Sequence, residues 1–313
     1  MKRVALMFPG QGSQAIGMGK VFYENYPEIK ELFQEADRTL DFSLSTLMFE
    51  GPNETLTLTE NAQPALLLSS IAVHTLLIKE EIQPVMAVGH SLGEYSALVA
   101  AGALSLEDAL PLVAARGRLM EEAYPAGKGA MAAVLGMKQE EIEAAIEGMD
   151  SDEIVDIANL NCPGQIVISG TKAGIEQAST VLKEKGAKRV LPLNVSGPFH
   201  SRLMKPANEA FAKKLDEVAI TEASIPVYAN VTAAPVTDDS EIKELLLKQL
   251  YSPVRFEESI RNMIEEGVDA FVEVGNGKVL SGLVKKISRR TPTFAIQDQE
   301  SMDAFISWYR EES

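Results

Sequence analysis

Ser91 stands in Gly89-His90-Ser91-Leu92-Gly93, between an apolar run at Pro84–Val88 and another at Leu98–Leu104. A Gly-x-Ser-x-Gly turn between strand and helix presents its serine hydroxyl at the top of a sheet. The helix N-terminus then favours the negative oxygen that forms when such a serine attacks a carbonyl. The alternative is a serine that only caps the helix. Attack near neutral pH requires a base, and the chain has 3 histidines. His74 lies inside an apolar helical stretch, 63–78, and reads as core. His90 adjoins Ser91, where neighbouring side chains diverge. His200 remains, in Ser196-Gly197-Pro198-Phe199-His200-Ser201, a turn directly before a helix, the kind of loop that often carries catalytic groups.

Two arginines are separated by helical geometry, because residues three and four apart share a face. Arg118 has Glu121 and Glu122 at those spacings and reads as solvated. Arg116 has Leu112, Val113, Leu119 and Met120 there and reads as buried. A buried guanidinium costs several kcal/mol unless an anion pairs with it. That anion is either a substrate carboxylate held bidentately or an internal acid. The stretch Gly10-Gln11-Gly12-Ser13-Gln14 also follows a strand, but it is neither a dinucleotide fingerprint nor a P-loop. It can instead bring the Gln11 N–H beside that of Leu92 as an oxyanion hole. Cys162 reads as an inert small residue, and no metal-ligand spacing is present.

These groups need elements to hold them. The run Val4–Phe8, closed by Pro9-Gly10, suits a buried parallel strand. Residues 14–50 read as helical in pieces, 63–78 as a buried helix and Pro84–Val88 as the next strand. Such alternation argues for a parallel sheet with ligands beyond the strands' carboxyl ends. Between 127 and 196 the rhythm changes. Strand 130–137, helix 139–149, strands 154–159 and 165–169, helix 173–185 and strand 189–195 follow the β-α-β-β-α-β order of the split ferredoxin-like motif. The expected organisation is therefore a discontinuous large domain, 1–126 and 197–313, with a small domain, 127–196, inserted in it. After 200 the large domain resumes with helix 201–218, strand 226–230, helices 241–250 and 256–266, strand 270–274, helix 279–288, strand 294–296 and a terminal helix carrying Trp308.

Composition bounds the partners. The 313 residues are 46% hydrophobic and 24% charged, and 29 Lys+Arg against 45 Asp+Glu leave a net charge of −16. An acidic surface repels phosphate backbones, so nucleic acid is an unsuitable partner. The single Cys162 allows no internal disulfide and fits a reducing compartment. With no signal-peptide core and no stretch near the ~20 apolar residues of a membrane span, the expectation is a soluble cytoplasmic protein without membrane contact.

Taken in order, Gly10-Gln-Gly-Ser-Gln14, Gly89-His-Ser-Leu-Gly-Glu94, Arg116, Gly197-Pro-Phe-His200, Asn230-Val-Thr232, Gln249-Leu-Tyr-Ser-Pro-Val-Arg255 and Phe271-Val-Glu-Val-Gly275 resemble the malonyl-CoA:acyl carrier protein transacylases of dissociated bacterial fatty acid synthesis. The resemblance spans nearly the whole chain. It implies an α/β fold: a large parallel-sheet, α/β-hydrolase-like domain with an inserted small ferredoxin-like domain. It makes Ser91 the acylated nucleophile, His200 its base, and a glutamine carbonyl, at Gln249, the group that orients the base. Arg116 would pair with the malonyl carboxylate, and Gln11 and Leu92 would form the oxyanion hole. Leu92 and Phe199 match malonyl-type positions. Coenzyme A thioester and acyl carrier protein are the implied substrates, with no cofactor. Gly275-Asn276-Gly277 and Phe256 depart from the usual Gly-Pro-Gly and Trp, and Pro198 from a residue that is often small or His. The rival readings are a serine hydrolase or thioesterase of acyl-CoA, and a non-catalytic malonyl-CoA-binding module. A hydrolase of the α/β type usually carries its histidine near the carboxyl end, whereas His200 is the last histidine here and lies well before it. Acidic carrier proteins would need a basic landing site. The densest candidates are Lys278, Lys285, Lys286, Arg289 and Arg290, and then Lys185, Lys188 and Arg189.

Overall fold

A computed structural model of the chain describes residues 2–149 and 152–311. The ends of the expected large domain, Met1, Glu312 and Ser313, and Asp150 and Ser151 within the expected small one, lie outside the described residues.

Among the described residues, ten strands form two sheets. In chain order they are β1 (Val4–Phe8), β2 (Met86–Gly89), β3 (Gly129–Leu135), β4 (Val155–Cys162), β5 (Gln165–Thr171), β6 (Arg189–Pro192), β7 (Val227–Tyr228), β8 (Pro235–Val236), β9 (Ala270–Val274) and β10 (Thr293–Ile296). The larger sheet has the order β10-β9-β1-β2-β7-β8. All its pairs are parallel except β7 with β8. Helices pack on both of its faces, so β1 and β9 are buried along their whole length, which is why they read as continuous apolar runs. Register sets Phe8 beside Gly89, so the loops that leave β1 and β2 emerge together at the carboxyl edge.

The smaller sheet, β4-β5-β3-β6, is antiparallel throughout, and its order is that of a ferredoxin-like motif. Side chains alternate across it as a strand requires. Ala132, Val134, Ile166 and Ile168 pack with the helices Gln139–Glu147 and Lys172–Glu184, while Met131, Ala133 and Val167 join the main core. Two backbone hydrogen bonds stitch it to the larger sheet's side, Leu160 N–H to Val254 O at 2.9 Å and Val254 N–H to Ala158 O at 2.8 Å.

Several boundaries differ from the sequence expectation. The helix after Ser91 spans Leu92–Ala100 rather than beginning at Leu98. Its first seven residues are all buried, and an element buried all round shows no periodic apolar face. The expected helix 201–218 is a 3-10 turn, Arg202–Ala207, followed by a helix at Asn208–Asp216, with Pro206 inside the turn. Helix Thr59–Lys79 is longer than 63–78. Its length and composition would suit a membrane span, contrary to expectation, but 83% of its apolar window is buried inside the protein.

Candidate active site

Strand β2 ends at Gly89, and the chain turns sharply so that Ser91 takes φ 52° and ψ −105°. A left-handed φ on a non-glycine residue is strained, and here close packing imposes it. A Cβ on Gly89 would lie 1.8 Å from the Gly93 carbonyl carbon, and one on Gly93 would lie 2.0 Å from the Phe8 oxygen. Asn230, just beyond β7, completes the elbow. Its Oδ1 accepts the Ser91 N–H at 2.8 Å, and its Nδ2 donates to the Gly89 carbonyl at 2.6 Å. Ser91 occupies the N-cap position of helix Leu92–Ala100, yet its side chain makes no capping hydrogen bond. The hydroxyl is free for other partners.

Those partners are a histidine and an arginine. Ser91 Oγ lies 2.7 Å from His200 Nε2, and Arg116 Nη2 donates to the same Oγ at 3.2 Å. His200 Nδ1 meets the Gln249 main-chain carbonyl at 2.9 Å, which makes Nδ1 the protonated nitrogen and leaves Nε2 to accept. Burial, with the Arg116 charge adding to it, pushes the His200 pKa down to about 3, so the ring is neutral near pH 7. The other histidines are excluded by position. His74 packs edge-on against Phe8, and burial takes its pKa down to about 4. His90 turns away from Ser91 to meet Asn161 Oδ1, on β4, at 2.8 Å.

Arg116 is 1% exposed, on helix Leu106–Glu122, while Arg118 faces solvent and pairs with Glu122. The next residue, Gly117, sets the depth at which Arg116 sits. A Cβ there would meet the Thr59 carbonyl at 2.6 Å, so glycine lets this helix press onto the start of helix Thr59–Lys79. Arg116 Nη1 then donates to Gln63 Oε1 and Nη2 to Gln249 Oε1, both at 2.8 Å. The guanidinium also lies 5.2 Å from the Tyr95 ring centre. Among the described residues no carboxylate forms an ion pair with it, and its Nε is buried without an acceptor. The internal-acid alternative therefore has no direct ion pair behind it: Glu94 acts on Arg116 only across the Gln249 amide.

Gln249 ties the parts together. Beyond the contacts above, its Nε2 reaches Ser91 O at 3.0 Å, Glu94 Oε2 at 2.8 Å and Asn230 Oδ1 at 3.2 Å. With acceptors around the nitrogen and a cation at the oxygen, the amide has one satisfiable orientation. Burial raises the Glu94 pKa to about 7.

Ser91, His200, Arg116, Gln11, Leu92 and Phe199 all line one cavity of about 340 Å³, between the carboxyl edge of the larger sheet and the inner face of the smaller. Gln249 lies behind its wall. This arrangement suits acyl transfer to and from a serine. The acyl transferase domain model matches residues 6–302. This chain belongs to the acyl transferase family.

Within that family, the resemblance to malonyl-CoA:acyl carrier protein transacylases holds over the full chain. The acyltransferase is 57% identical to the Bacillus subtilis malonyl CoA-acyl carrier protein transacylase, across 100% of this chain and 99% of the relative. An acyl carrier protein S-malonyltransferase from Vibrio cholerae superposes with a TM-score of 0.95 at 45% identity, covering 97% of this chain and 100% of that one. A malonyl-transacylase solved in complex with its type II PKS acyl-carrier protein gives 0.95 at 39%, covering 98% and 99%. Two residues of the acyltransferase's site carried no role in the sequence reading, Gln63 and Asn230. Gln63 sits in an apolar helix, and only the Gly117 contact shows what faces it. Asn230 belonged to a motif, but its grip on the elbow depends on strand pairing.

Proposed function

We propose that this acyltransferase moves a malonyl group from malonyl-CoA to the phosphopantetheine thiol of acyl carrier protein, through an ester on Ser91. Ser91 Oγ attacks the thioester carbonyl as His200 Nε2 takes its proton. The N–H groups of Gln11 and Leu92 receive the developing oxyanion. Collapse expels coenzyme A, whose sulfur takes the proton from His200. The carrier thiol then gives its proton to His200 and attacks the ester carbonyl. The carbonyl–Oγ bond of Ser91 breaks, Ser91 Oγ takes the proton back from His200, and the malonyl group leaves on the carrier sulfur. Arg116 pairs with the distal carboxylate in both halves, and Phe199 walls the acyl pocket. Every bond exchanged lies between the thioesters and Ser91, so the reaction as written requires no cofactor. Residues 1–126 and 197–313 supply the catalytic groups and 127–196 the facing wall, and the buried lone Cys162 fits work in the cytoplasm.

One observation carries the reading: a serine activated at 2.7 Å by a neutral histidine shares its hydroxyl with a buried cation that forms no ion pair with a carboxylate among the described residues. Incubation with malonyl-, methylmalonyl- and acetyl-CoA, each with and without carrier protein, followed by intact mass, tests it. Malonyl should load preferentially and pass to the carrier. Rapid loss of malonyl to water with no carrier product would replace transfer by hydrolysis, and no adduct at all would leave a binding module.

A further inference from the structure

Arg116 is buried between two neutral side-chain oxygens, Gln63 Oε1 on Nη1 and Gln249 Oε1 on Nη2, each at 2.8 Å. A buried guanidinium is usually matched by a carboxylate, because desolvating it alone costs several kcal/mol. An internal carboxylate would, however, occupy the charge that the substrate's carboxylate must use. Amide oxygens fix the guanidinium plane while leaving its net charge in place.

Gln63 is suited to this. It is 1% exposed, its carbonyl end faces Arg116, and its Nε2 is turned to the soft acceptor Met120 Sδ at 3.7 Å. The reverse orientation would oppose N–H to N–H. It also lines the same cavity as Ser91. Its distance from Arg116 is set by the Gly117 contact with Thr59 and Glu60 one turn earlier.

We infer that Gln63 is a specificity-positioning residue: it orients Arg116 without discharging it, so that the enzyme accepts an acyl group with a free carboxylate in preference to an uncharged one. The inference rests on the proposed malonyl transfer and adds the neutral clamp as the source of selectivity.

The test compares self-acylation of wild type, Gln63→Glu and Gln63→Met by malonyl-CoA and acetyl-CoA, resolving kcat from KM, with melting temperatures to verify folding. Gln63→Glu keeps the size of the side chain but supplies the rival anion. It should lower kcat/KM for malonyl-CoA by about 30-fold or more, mostly through KM, and lower it for acetyl-CoA by a much smaller factor. Gln63→Met removes the acceptor without adding charge, and should lower the malonyl-to-acetyl ratio less. A ratio equal to wild type in Gln63→Glu, or equal losses for both thioesters in both variants, overturns the inference. If Gln63→Glu does not fold, an unchanged ratio in Gln63→Met overturns it and a lowered ratio supports it. Wild type that takes no malonyl would instead sink the proposed transfer itself.

Discussion

The Gln249 main-chain carbonyl accepts the Nδ1–H of His200 at 2.9 Å, so the group that orients the base is one no side-chain substitution removes. In serine triads that use an acid side chain, losing that acid costs ~10⁴ in rate. Gln249→Ala should cost much less for acetyl-CoA, about 10-fold, from loosening of the elbow. Malonyl-CoA should suffer further, because Arg116 loses one of its two amide acceptors. Self-acylation rates with the two thioesters check this; a loss near 10⁴ for both would mean that the side chain orients the base.

Arg116→Ala deletes the only buried cation at the nucleophile among the described residues. Loss of a buried charge-assisted pair typically costs about 2–5 kcal/mol, roughly 30- to 5,000-fold. Malonyl-CoA should lose that much in kcat/KM, whereas acetyl-CoA, with no carboxylate, should fall far less or rise. Equal losses measured for both substrates would make the arginine structural.

Burial holds His200 neutral down to about pH 3 and His74 to about pH 4, which separates activity from stability on the acid side. The base stays unprotonated in the folded enzyme, so kcat/KM should show no histidine limb near pH 6.5. Stability should behave differently. The unfolded chain binds protons at these histidines below about pH 6.5 while the native state does not, so each removes about 1.4 kcal/mol per pH unit as pH falls toward its folded value. Glu94 works in the other direction: its pKa of about 7 means its effect on stability is lost as pH rises from about 4.5 toward 7. Urea midpoints at pH 7 and 5, for wild type and His74→Gln, measure the histidine share; the wild type should lose more stability over that interval than the variant.

Much of this site was legible because its signals are local. The elbow glycines, the apolar face around Arg116 and the immediate surroundings of each of the three histidines depend on residues near one another in sequence. What escaped depends on tertiary contact. Helix Leu92–Ala100 is buried on all sides, so no period marks its start. Strand β8 has two residues, Pro235 and Val236, too few for any pattern. Gln63 reads as core until Gly117 brings the neighbouring helix against Thr59.

Lys285 and Lys286 lie exposed on helix Val279–Ile287, whose Val279, Leu280 and Leu283 line the cavity. Buried Glu273 pins this helix by accepting the Leu280 and Ser281 N–H groups at 3.0 and 2.8 Å. Among the described residues none of Lys278, Lys285, Lys286, Arg289 and Arg290 forms an ion pair within 4.0 Å. Such unpaired charge at a rim acts mainly on association and is screened by salt. Reversing Lys285 and Lys286 to Glu should raise KM for carrier protein without changing self-acylation by malonyl-CoA, and added salt should narrow the gap. Equal carrier kinetics at low salt would move the landing site to Lys185, Lys188 and Arg189.

The most direct measurement is intact mass of wild type and Ser91→Ala after mixing with malonyl-CoA in the absence of acceptor, followed by addition of carrier protein. Wild type should gain one malonyl group and hand it to the carrier, while a folded Ser91→Ala gains none. A malonyl adduct formed at the normal rate on Ser91→Ala would contradict the assignment of Ser91 as the nucleophile.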